Sequence, residues 1–398
     1  MNGPLSGVKV LDMTTVFMGP HCTQILAELG ADVIKLEAPE GDIVRKITPA
    51  RNPGMGALFL LANRGKRSIV LDAKNPAGRE AVLKLAAHCD VFVYNLRPQA
   101  MARLGLSYAD VAAVNPRIIY VGTFGYGQDG PYAAQPAYDD LIQAAAGIAS
   151  LPNRVNGAEP RYVPYALVDR TVALAAVNAV TTALFHRERT GAGQAVDVPM
   201  FETMAQLLLG EHLYGHAFEP PLASLGYPRS LAPDRRPYMT KDGYIAALIY
   251  TDRHWLAFLD FIGRRELRDD HRFKDMSGRT QHVNDVYGFV AEILQQRTTA
   301  EWMEAFRRAD IPAMPMQSLE ELISDAHLQA VQLFELAEHP SEGKIRQMRN
   351  PTRWSATPLG PIRPAPRLGE HSREVLLEIG YGESQIAAML QSGVTTQP

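Results

Sequence analysis

The chain has 398 residues, of which 46% are hydrophobic and 21% charged, and its formal net charge is −3. At about 100–200 residues per domain this length predicts two or three domains, and the composition excludes a disordered or fibrous chain. Forty basic and 43 acidic side chains are nearly balanced, which excludes a general electrostatic attraction to nucleic acid or to anionic membranes. We therefore expect neither as a partner.

The cysteines indicate the cellular environment. Cys22 and Cys89 are too few for a disulfide framework or a cysteine-type zinc site, and they suit a reducing compartment. No cationic segment followed by an apolar core is visible near the start, so no signal peptide is predicted. The most apolar long stretch, residues 163–185, carries Asp169 and Arg170, which disfavours a transmembrane span. We expect a cytoplasmic protein without a metal site.

Strand and helix patterns alternate in the first third of the chain. Helix-spaced apolar residues from Cys22 onward end at Gly30, and the pair Asn75–Pro76 is typical of the start of another helix. This alternation predicts a parallel sheet covered on both faces, a Rossmann-like fold. The predicted strands are residues 8–13, 31–37, 68–72, 91–95 and 118–122.

Helical patterns dominate the middle of the chain, at residues 138–147, 169–189 and 200–216. From about Tyr227 prolines mark an extended connection, and a β-like segment and helices around Trp255 and Trp302 follow. We predict a smaller α/β domain over residues 227–330. After Pro340 a proline-rich extended stretch leads to two short helices near the end of the chain.

Several common site types are disfavoured. After the first strand only Gly19 stands where a dinucleotide fingerprint needs three glycines, so NAD or FAD binding is not predicted. The glycine-rich run 122–130 lacks the Lys-Ser/Thr of a phosphate loop and leads into Pro131, which favours a flexible loop near a ligand. His212 and His216 have a metal-compatible spacing, but no third ligand is evident, so a helix-end or interface role is favoured. No G-x-S-x-G elbow is present, and neither cysteine has catalytic surroundings.

Asp169 stands out as a candidate catalytic residue. It opens a segment that is apolar on nearly every face, which predicts a helix buried all round and an acidic residue facing a crevice. From position alone the favoured role is a helix N-cap, which contributes about 1 kcal/mol. A nucleophile is the alternative, compatible with the first, because backbone N–H groups and the helix dipole would keep the carboxylate ionised.

Six basic residues of the N-terminal half form a second candidate cluster. Most of them follow predicted strand ends, where open α/β sheets bind their ligands. They are either scattered surface charges or a site for an anionic ligand carrying several phosphates, and both interpretations stay open. The residues are Arg45, Lys66, Arg67, Lys74, Arg97 and Arg103.

Sequence segments along nearly the whole chain resemble, in the same order, those of the family III CoA-transferases. This family includes formyl-CoA:oxalate and carnitine CoA-transferases and α-methylacyl-CoA racemase. The segments begin with PLSGVKVLDMTTVFMGPHCTQILAELGADVIKLEAPEGD (residues 4–42) and continue with NRGKRSIVLDAKNPAGR (63–79) and NLRPQAMARLGLSY (95–108). Residues 115–132, 137–147 and 186–202 keep the pattern, as do DIPAMPMQSLEELISDAHLQA (310–330) and LGEHSREVLLEIGY (368–381).

The resemblance implies a fold, an oligomeric state and a site. A large Rossmann-like CoA-binding domain (1–226) would be completed by an extended return segment and C-terminal helices (331–398), with the small α/β domain (227–330) between them, in an interlocked homodimer. The family's catalytic aspartate falls on Asp169. CoA or acyl-CoA would be a substrate, with no cofactor bound permanently. The matching CoA-binding positions are Val16, Phe17, Met18, Ala38, Leu71, Asp72, Ala73, Lys74, Asn95, Leu96, Arg97, Arg103, Ala137, Tyr138 and Asp139.

Departures from the family pattern bear on specificity. Formyl-CoA transferase has an arginine where this chain has Ala38 and a glutamine where it has Phe17, which argues against oxalate and formyl-CoA as substrates. Its glycine-rich loop is also not evident near residues 225–240. Three arginines of that segment, Arg229, Arg235 and Arg236, either contact an acceptor that carries a second polar or acidic group or lie solvated on the surface.

The expected activity is the transfer of CoA from an acyl-CoA donor to a free carboxylic acid, through an aspartyl anhydride and an aspartyl-CoA thioester. A 2-methylacyl-CoA racemase is one alternative and a non-catalytic CoA-binding protein is another. In α-methylacyl-CoA racemase a histidine precedes the aspartate of the 137–139 motif. Here that residue is Tyr138, as in formyl-CoA transferase, and a phenol with a pKa of about 10 is a poor base.

Overall fold

A computed structural model describes residues 3–398, and its largest element is a six-stranded parallel sheet. The strand order is β3-β2-β1-β4-β5-β6, so the order reverses between β1 and β4. Almost every residue of the first five strands is buried, as expected for a parallel sheet covered on both faces. The strands are β1 (Lys9–Met13), β2 (Asp32–Glu37), β3 (Lys66–Val70), β4 (Val91–Tyr94), β5 (Ile119–Phe124) and β6 (Gln194–Pro199).

Two smaller antiparallel sheets follow in the chain. One contains β7 (Tyr238–Met239), β8 (Tyr244–Ala247) and β9 (Ala313–Pro315), and the other is the hairpin of β10 (Phe334–His339) and β11 (Gly343–Met348). The hairpin crosses the start of the stretch predicted as extended and proline-rich. In β10 and β11 polar and apolar residues alternate only weakly, which explains why the sequence pattern did not predict the pairing.

Residues 3–398 also contain seventeen α-helices. Short 3₁₀ segments lie at Ile43–Lys46, Ile148–Ser150, Tyr214–Ala217 and Arg265–Asp269. The α-helices are α1 (Met18–Glu28), α2 (Ala57–Asn63), α3 (Pro76–Ala87), α4 (Pro98–Arg103), α5 (Tyr108–Val114), α6 (Asp139–Ala145), α7 (Leu151–Asn156), α8 (Leu167–Thr190), α9 (Met200–His212), α10 (Asp252–Phe261), α11 (Met276–Gln281), α12 (Val283–Leu294), α13 (Thr299–Ala309), α14 (Leu319–Ile323), α15 (Ala326–Ala330), α16 (Ser372–Glu378) and α17 (Glu383–Gln391).

The chain divides into two compact units. The first contains residues 3–146, 162–206 and 331–398, and the second contains residues 147–161 and 207–330. The sequence analysis places residues 147–161 and 207–226 in the large domain instead. The predicted domain boundaries stay a prediction.

The C-terminal segment covers the outer edge of β3, which is the edge strand of the parallel sheet. The backbone N–H of Ser68 donates to His371 Nδ1 at 3.2 Å, and its carbonyl accepts from the backbone N–H of His371 at 2.9 Å. The N–H of Val70 donates to Ser372 Oγ at 3.1 Å, and its carbonyl accepts from Thr395 Oγ1 at 2.6 Å. Side chains and backbone of the C-terminal segment therefore replace the strand that would otherwise pair there.

Within the single chain, helix α8 is buried on one side, which differs from the expectation of burial all round. Val172, Ala176 and Val180 face the protein, whereas Leu174 and Phe185 are 58% and 64% exposed. The apolar composition of the helix does not reveal that the sheet covers a single side. Among residues 3–398, α8 is the helix whose length and composition would allow it to cross a membrane, a criterion that core helices also meet. Here it packs against α1 and β5.

The second unit has an aromatic core of its own. Helices α10 and α13 are those predicted around Trp255 and Trp302. Phe258 packs with both tryptophans, and Phe306 packs with Trp302. Trp302 is 1% exposed, and its indole N–H donates to the carbonyl of Leu294 at 2.7 Å. Burial of these large side chains stabilises this unit by the hydrophobic effect.

Candidate active site

The predicted CoA-binding positions share one edge of the parallel sheet. Every group of them follows the carboxyl end of a strand: 16–18 after β1, Ala38 after β2, 71–74 after β3, 95–97 after β4 and 137–139 after the loop that leaves β5. Because the strands are parallel, all these strand ends lie at the same edge, where open α/β sheets bind ligands. The side chains of Met18 and Leu71 are buried in the protein interior.

The loop after β1 is held from both sides. Asn95, which follows β4, accepts a hydrogen bond from the N–H of Thr15 at 3.0 Å and donates to its carbonyl at 2.8 Å. The N–H of Val16 donates to Asp42 Oδ1 at 3.1 Å. Val16 has a φ of +69°, a conformation that β-branched residues rarely adopt. These contacts hold the loop in one shape at the point where the strand order reverses.

Four buried charges lie beneath this loop. Lys66 donates to Asp12 at 2.8 Å, and Lys35 donates to Asp42 at 3.0 Å and to the carbonyl of Thr14 at 2.9 Å. Burial alone would raise the pKa of Asp12, but the neighbouring Lys66 and Lys35 hold it below its ordinary value. Buried carboxylates and ammonium groups are tolerated because each finds an opposite charge. The network therefore supports the loop and is not exposed to a ligand.

The six basic residues singled out in the sequence fall into two groups. Arg45 pairs with Glu37, Lys66 with Asp12 and Arg67 with Asp32, and all three cations are buried. These three are structural, because their charges are already neutralised inside the protein. The exposed cations are Lys74, Arg97 and Arg103, and none of them has a carboxylate partner within residues 3–398.

A surface pocket brings several predicted CoA positions together. Ala73 and Lys74 after β3 and Leu96 and Arg103 after β4 line it, together with Arg79 of α3. Arg79 is exposed and has no carboxylate partner in the described part of the chain, so the pocket carries three uncompensated cations. The sequence analysis missed Arg79, although it lies one turn after Pro76 in a helix that starts at this edge.

Asp169 is the third residue of α8 and not its N-cap. The N-cap residue is Ala166, whose side chain makes no hydrogen bond to the helix. The interpretation of Asp169 as the N-cap is therefore wrong. Its side chain is half-buried, and no hydrogen bond or ion pair to its carboxylate occurs within the described residues 3–398. Since α8 runs back from the ligand-binding edge to β6, its first turn lies at that edge. Asp169 is thus an unpartnered carboxylate at the site.

The start of α8 is fixed by side chains of α6. Asp139 Oδ1 accepts a hydrogen bond from the backbone N–H of Asp169 at 2.9 Å, and Asp139 Oδ2 accepts from Gln143 Nε2 at 2.6 Å. Gln143 is fully buried, and its carbonyl oxygen accepts from the N–H of Val163 at 2.8 Å. Sequence reasoning missed Gln143, although its i+4 spacing from Asp139 places both on one helix face.

Burial raises the pKa of Asp169 to about 7. The carboxylate of Asp139 adds to this increase, and the guanidinium of Arg170 opposes it. The expectation that the helix dipole keeps Asp169 fully ionised is therefore wrong at neutral pH, because loss of hydration and a like charge outweigh it. A carboxylate with such a pKa in a crevice is a candidate for chemistry.

Arg170, His21 and Phe17 lie together beside Asp169. The guanidinium carbon of Arg170 is 4.7 Å from the ring centre of Phe17, and Arg170 Nη1 is 3.5 Å from His21 Nε2. Burial, with Arg170 next, lowers the pKa of His21 to about 4, so the imidazole is neutral at physiological pH. The cluster holds one cation close to the carboxylate. Sequence reasoning did not single out His21 or Arg170 for this role.

Other predicted residues have simpler surroundings. Tyr138 is 64% exposed. Ala137 packs directly against Gly125, so closely that a Cβ atom added to this glycine would lie 2.3 Å from the Cβ of Ala137. His212 is buried, and its Nδ1 accepts from the N–H of Tyr227 at 3.2 Å, so it stabilises a turn. Within residues 3–398 no group of three or more His, Cys, Asp or Glu side chains could hold a metal.

The three arginines of the 225–240 segment differ from one another. Arg236 pairs with Asp234 at 3.0 Å, and Arg235 is exposed. Arg229 is half-buried and lines a pocket of the second unit. A role in acceptor binding stays a prediction for all three.

Comparison with known proteins gives these observations a family. The succinate–glutarate CoA-transferase of Agrobacterium fabrum is 33% identical over 387 residues, which are 94% of this chain and 96% of that protein. A formyl-CoA:oxalate CoA-transferase of Rhodopseudomonas palustris is 31% identical over 425 residues, 100% of this chain and 99% of the relative. The crystal structure of Rv3272 from Mycobacterium tuberculosis superposes with a TM-score of 0.81 at 29% identity, covering 94% of this chain and 99% of the other.

The family model described as CoA-transferase family III matches residues 5–372. This range includes the unpartnered Asp169 and all the positions gathered at the carboxyl edge of the sheet. The chain belongs to CoA-transferase family III.

Proposed function

We propose that this protein moves CoA from an acyl-CoA donor to a free carboxylic acid, with Asp169 as the covalent nucleophile. The observation that carries the proposal is the half-buried carboxylate of Asp169, unpartnered within residues 3–398, at the sheet edge that gathers the predicted CoA positions. Since no side chain within residues 3–398 engages this carboxylate, both of its oxygens are available to attack a substrate.

The pocket beside α3 and α4 is suited to the phosphates of CoA. Lys74, Arg79 and Arg103 supply three cations that no carboxylate within the described residues 3–398 neutralises. Arginine forms paired hydrogen bonds with phosphate oxygens, and lysine adds a point charge. We infer that CoA lies along the carboxyl edge with its phosphates in this pocket.

The proposed reaction has four steps, each exchanging one bond for another. The Asp169 carboxylate attacks the thioester carbonyl, the C–S bond breaks, and a mixed anhydride and CoA thiolate form. The thiolate then attacks the Asp169 carbonyl of the anhydride, which releases the donor acid and leaves an aspartyl-CoA thioester. The acceptor carboxylate attacks that thioester and gives a second anhydride with release of thiolate. Attack of the thiolate on the acceptor carbonyl forms the new acyl-CoA and regenerates Asp169.

The surroundings of Asp169 support this chemistry. Removal of hydration makes the carboxylate a stronger nucleophile, and the same burial raises its pKa to about 7. Arg170 opposes that rise and so keeps part of the population ionised. The bonds from Asp139 and Gln143 fix the first turn of α8 and thereby the position of the nucleophile.

We also propose that the protein is an interlocked homodimer. An anhydride is hydrolysed by water, so the reaction needs a site from which water is excluded. The outward stripe of α8, Leu174, Asn178, Thr182 and Phe185, is exposed in a single chain, and its two large apolar side chains support a covering partner. A cytoplasmic location is part of the proposal, and the two buried free cysteines agree with it.

The acceptor acid is proposed to be dicarboxylic. The names of the relatives above include succinate, glutarate and oxalate, which are dicarboxylic acids, beside formyl-CoA, whose acid is monocarboxylic. The test is a mass-spectrometric screen of acyl-CoA donors against mono- and dicarboxylic acceptors, with the Asp169→Asn variant as blank. New acyl-CoA species from dicarboxylates are the expected result. Products from monocarboxylates alone would refute the substrate class, and no exchange with any pair would refute the transferase proposal.

A further inference from the structure

The second unit contains a pocket with aromatic walls that the proposed reaction does not use. All of its lining residues fall between 214 and 290. Tyr227, Tyr238, Trp255 and Tyr287 contribute aromatic rings, and Val286 is among the aliphatic residues between them. Aromatic walls with a few polar groups are typical of sites for small organic molecules.

The two arginines on this pocket have different roles. Arg279 is 5% exposed, donates to the carbonyl of Phe273 at 2.7 Å and pairs with Asp252, so its charge is already satisfied. Arg229 is half-buried, and its guanidinium has no hydrogen-bond or ion-pair partner within residues 3–398. The pocket therefore presents one uncompensated positive charge.

Two hydroxyl groups add neutral donors. Tyr238 is 5% exposed and Tyr287 is half-buried, and neither hydroxyl has a hydrogen-bond partner in the described part of the chain. Burial raises the pKa of Tyr238, so its hydroxyl keeps its proton. Both residues line the pocket, so their hydroxyls can donate to a ligand there. The nearby carboxylate of Asp234 is engaged by Arg236 at 3.0 Å.

We propose that this pocket binds a small organic acid whose single carboxylate pairs with Arg229 and whose aromatic body lies between Tyr238, Trp255 and Tyr287. One free guanidinium matches one carboxylate through two parallel hydrogen bonds. A phosphate or a second carboxylate would need another cation, and Arg279 is already paired. Flat aromatic groups pack well against aromatic walls of this kind.

The first experiment is a titration of the full-length protein with phenylacetate, without CoA, followed by calorimetry and by the fluorescence of Trp255. Saturable binding with a change in tryptophan emission is expected, and phenylacetamide, which has the same shape without the charge, should bind at least about tenfold more weakly. In Trp255→Phe the calorimetric signal should remain while the change in emission is lost. No saturable binding of phenylacetate at 10 mM, or equal affinity for the amide, would refute the proposal.

The second experiment locates the carboxylate. Arg229→Gln should weaken phenylacetate binding by at least about tenfold, because a hydrogen-bonded charge pair is lost. Arg235→Gln, which removes a neighbouring exposed arginine, should leave affinity within about twofold, and circular dichroism shows that each variant is folded. Unchanged affinity in a folded Arg229→Gln protein would refute the role of Arg229. Because the readout is binding without CoA, its failure leaves the transfer proposal untouched.

Discussion

Asp139 Oδ1 accepts a hydrogen bond from the backbone N–H of Asp169 at 2.9 Å, so one carboxylate places another. The same contact has an electrostatic effect, because the negative charge of Asp139 helps to raise the pKa of Asp169. Position and protonation of the proposed nucleophile are therefore coupled through a single side chain. This coupling can be tested with an amide, which loses the charge and keeps one oxygen for the N–H of Asp169 but gives up the bond from Gln143 Nε2.

Removal of the nucleophile is the most direct test. Asp169→Asn cannot form the anhydride, so CoA transfer should fall by at least about 10³-fold, as when covalent nucleophiles are removed elsewhere. In the wild type, hydroxylamine added with acyl-CoA should leave a hydroxamate on the peptide that contains Asp169. Asp140→Asn, an exposed carboxylate of the same site, is the matched control and should retain transfer within a few fold. A folded Asp169→Asn protein with near wild-type transfer would contradict the proposal.

The same variant has a stability signature. The pKa of Asp169 is about 7 in the folded protein, above its value in the unfolded chain. At pH values between these two pKa values, Asp169 is protonated in the folded protein and ionised in the unfolded chain. Stability from this group is therefore complete at low pH and is lost as pH rises toward 7. We therefore compare the difference in Tm between Asp169→Asn and the wild type at two pH values by calorimetry. This difference, variant minus wild type, should be more positive at pH 8 than at pH 5.

The pH dependence of transfer should report Asp169. Because the ionised form attacks, kcat/KM should rise about tenfold per pH unit below pH 7 and level off above it. Asp139→Asn removes the like charge, and its one amide oxygen can accept the N–H of Asp169 once the bond from Gln143 Nε2 is given up, so the rising part of the pH profile should move to lower pH. Asp140→Asn should shift it less, because Asp140 contributes less to the pKa. If the pH dependence of kcat/KM in Asp139→Asn is the same as in the wild type, Asp169 is not the titrating group.

The cationic pocket predicts a defect confined to CoA. Alanine in place of Lys74, Arg79 or Arg103 should raise KM for the acyl-CoA donor about tenfold each, because a charge-assisted contact to phosphate is lost. KM for the acceptor acid should stay unchanged. Arg308→Ala, an exposed arginine in the last turn of α13, is the control. Equal KM values for acyl-CoA in all four variants would place the phosphates elsewhere.

The homodimer can be tested by sedimentation. We expect the mass of two chains at micromolar concentration, with no folded monomer on dilution. Leu174→Glu introduces a charge into the exposed apolar stripe of α8 and should reduce dimer or yield of folded protein. Glu188→Gln on the same helix should not. A folded wild-type monomer at micromolar concentration would refute the proposal.

Racemase activity should be at most trivial. Tyr138, 64% exposed, stands where the family resemblance places the histidine of the racemase, and tyrosine is in general a poor base for removal of an α-proton near neutral pH. Deuterium incorporation from heavy water into a 2-methylacyl-CoA is the measurement. Incorporation at a rate comparable to CoA transfer would favour the racemase over the transferase.

The sequence predicted the strands of the sheet better than the buried ion pairs among them. Strands β1, β2 and β4 fall within a residue or two of the expected segments, because apolar residues mark each of them even though Asp12 and Lys35 interrupt the first two. Strand β3 begins at Lys66, two residues earlier than predicted, since two cations enter the strand and are neutralised by distant carboxylates. A local pattern contains no information about such partners.

The site shows the same limit. Asp169 was found because an acidic residue at the start of an apolar helix is unusual, and a family resemblance reinforced it. Its pKa and the bonds to Asp139 depend on residues thirty positions away and on the depth of burial, which only the folded chain defines. The separation of structural arginines such as Arg45 from free ones such as Arg79 likewise requires the coordinates.

The covering of β3 by the C-terminal segment affects how the chain reaches its native state. Val70 and Thr395, which meet at 2.6 Å, are separated by 325 positions. During synthesis the backbone groups of Ser68 and Val70 cannot meet their final partners until residues 371–395 have left the ribosome. Over this interval the nascent sheet has an open border that can recruit a foreign strand. The arrival of residues 371–395 thus closes this border of the sheet.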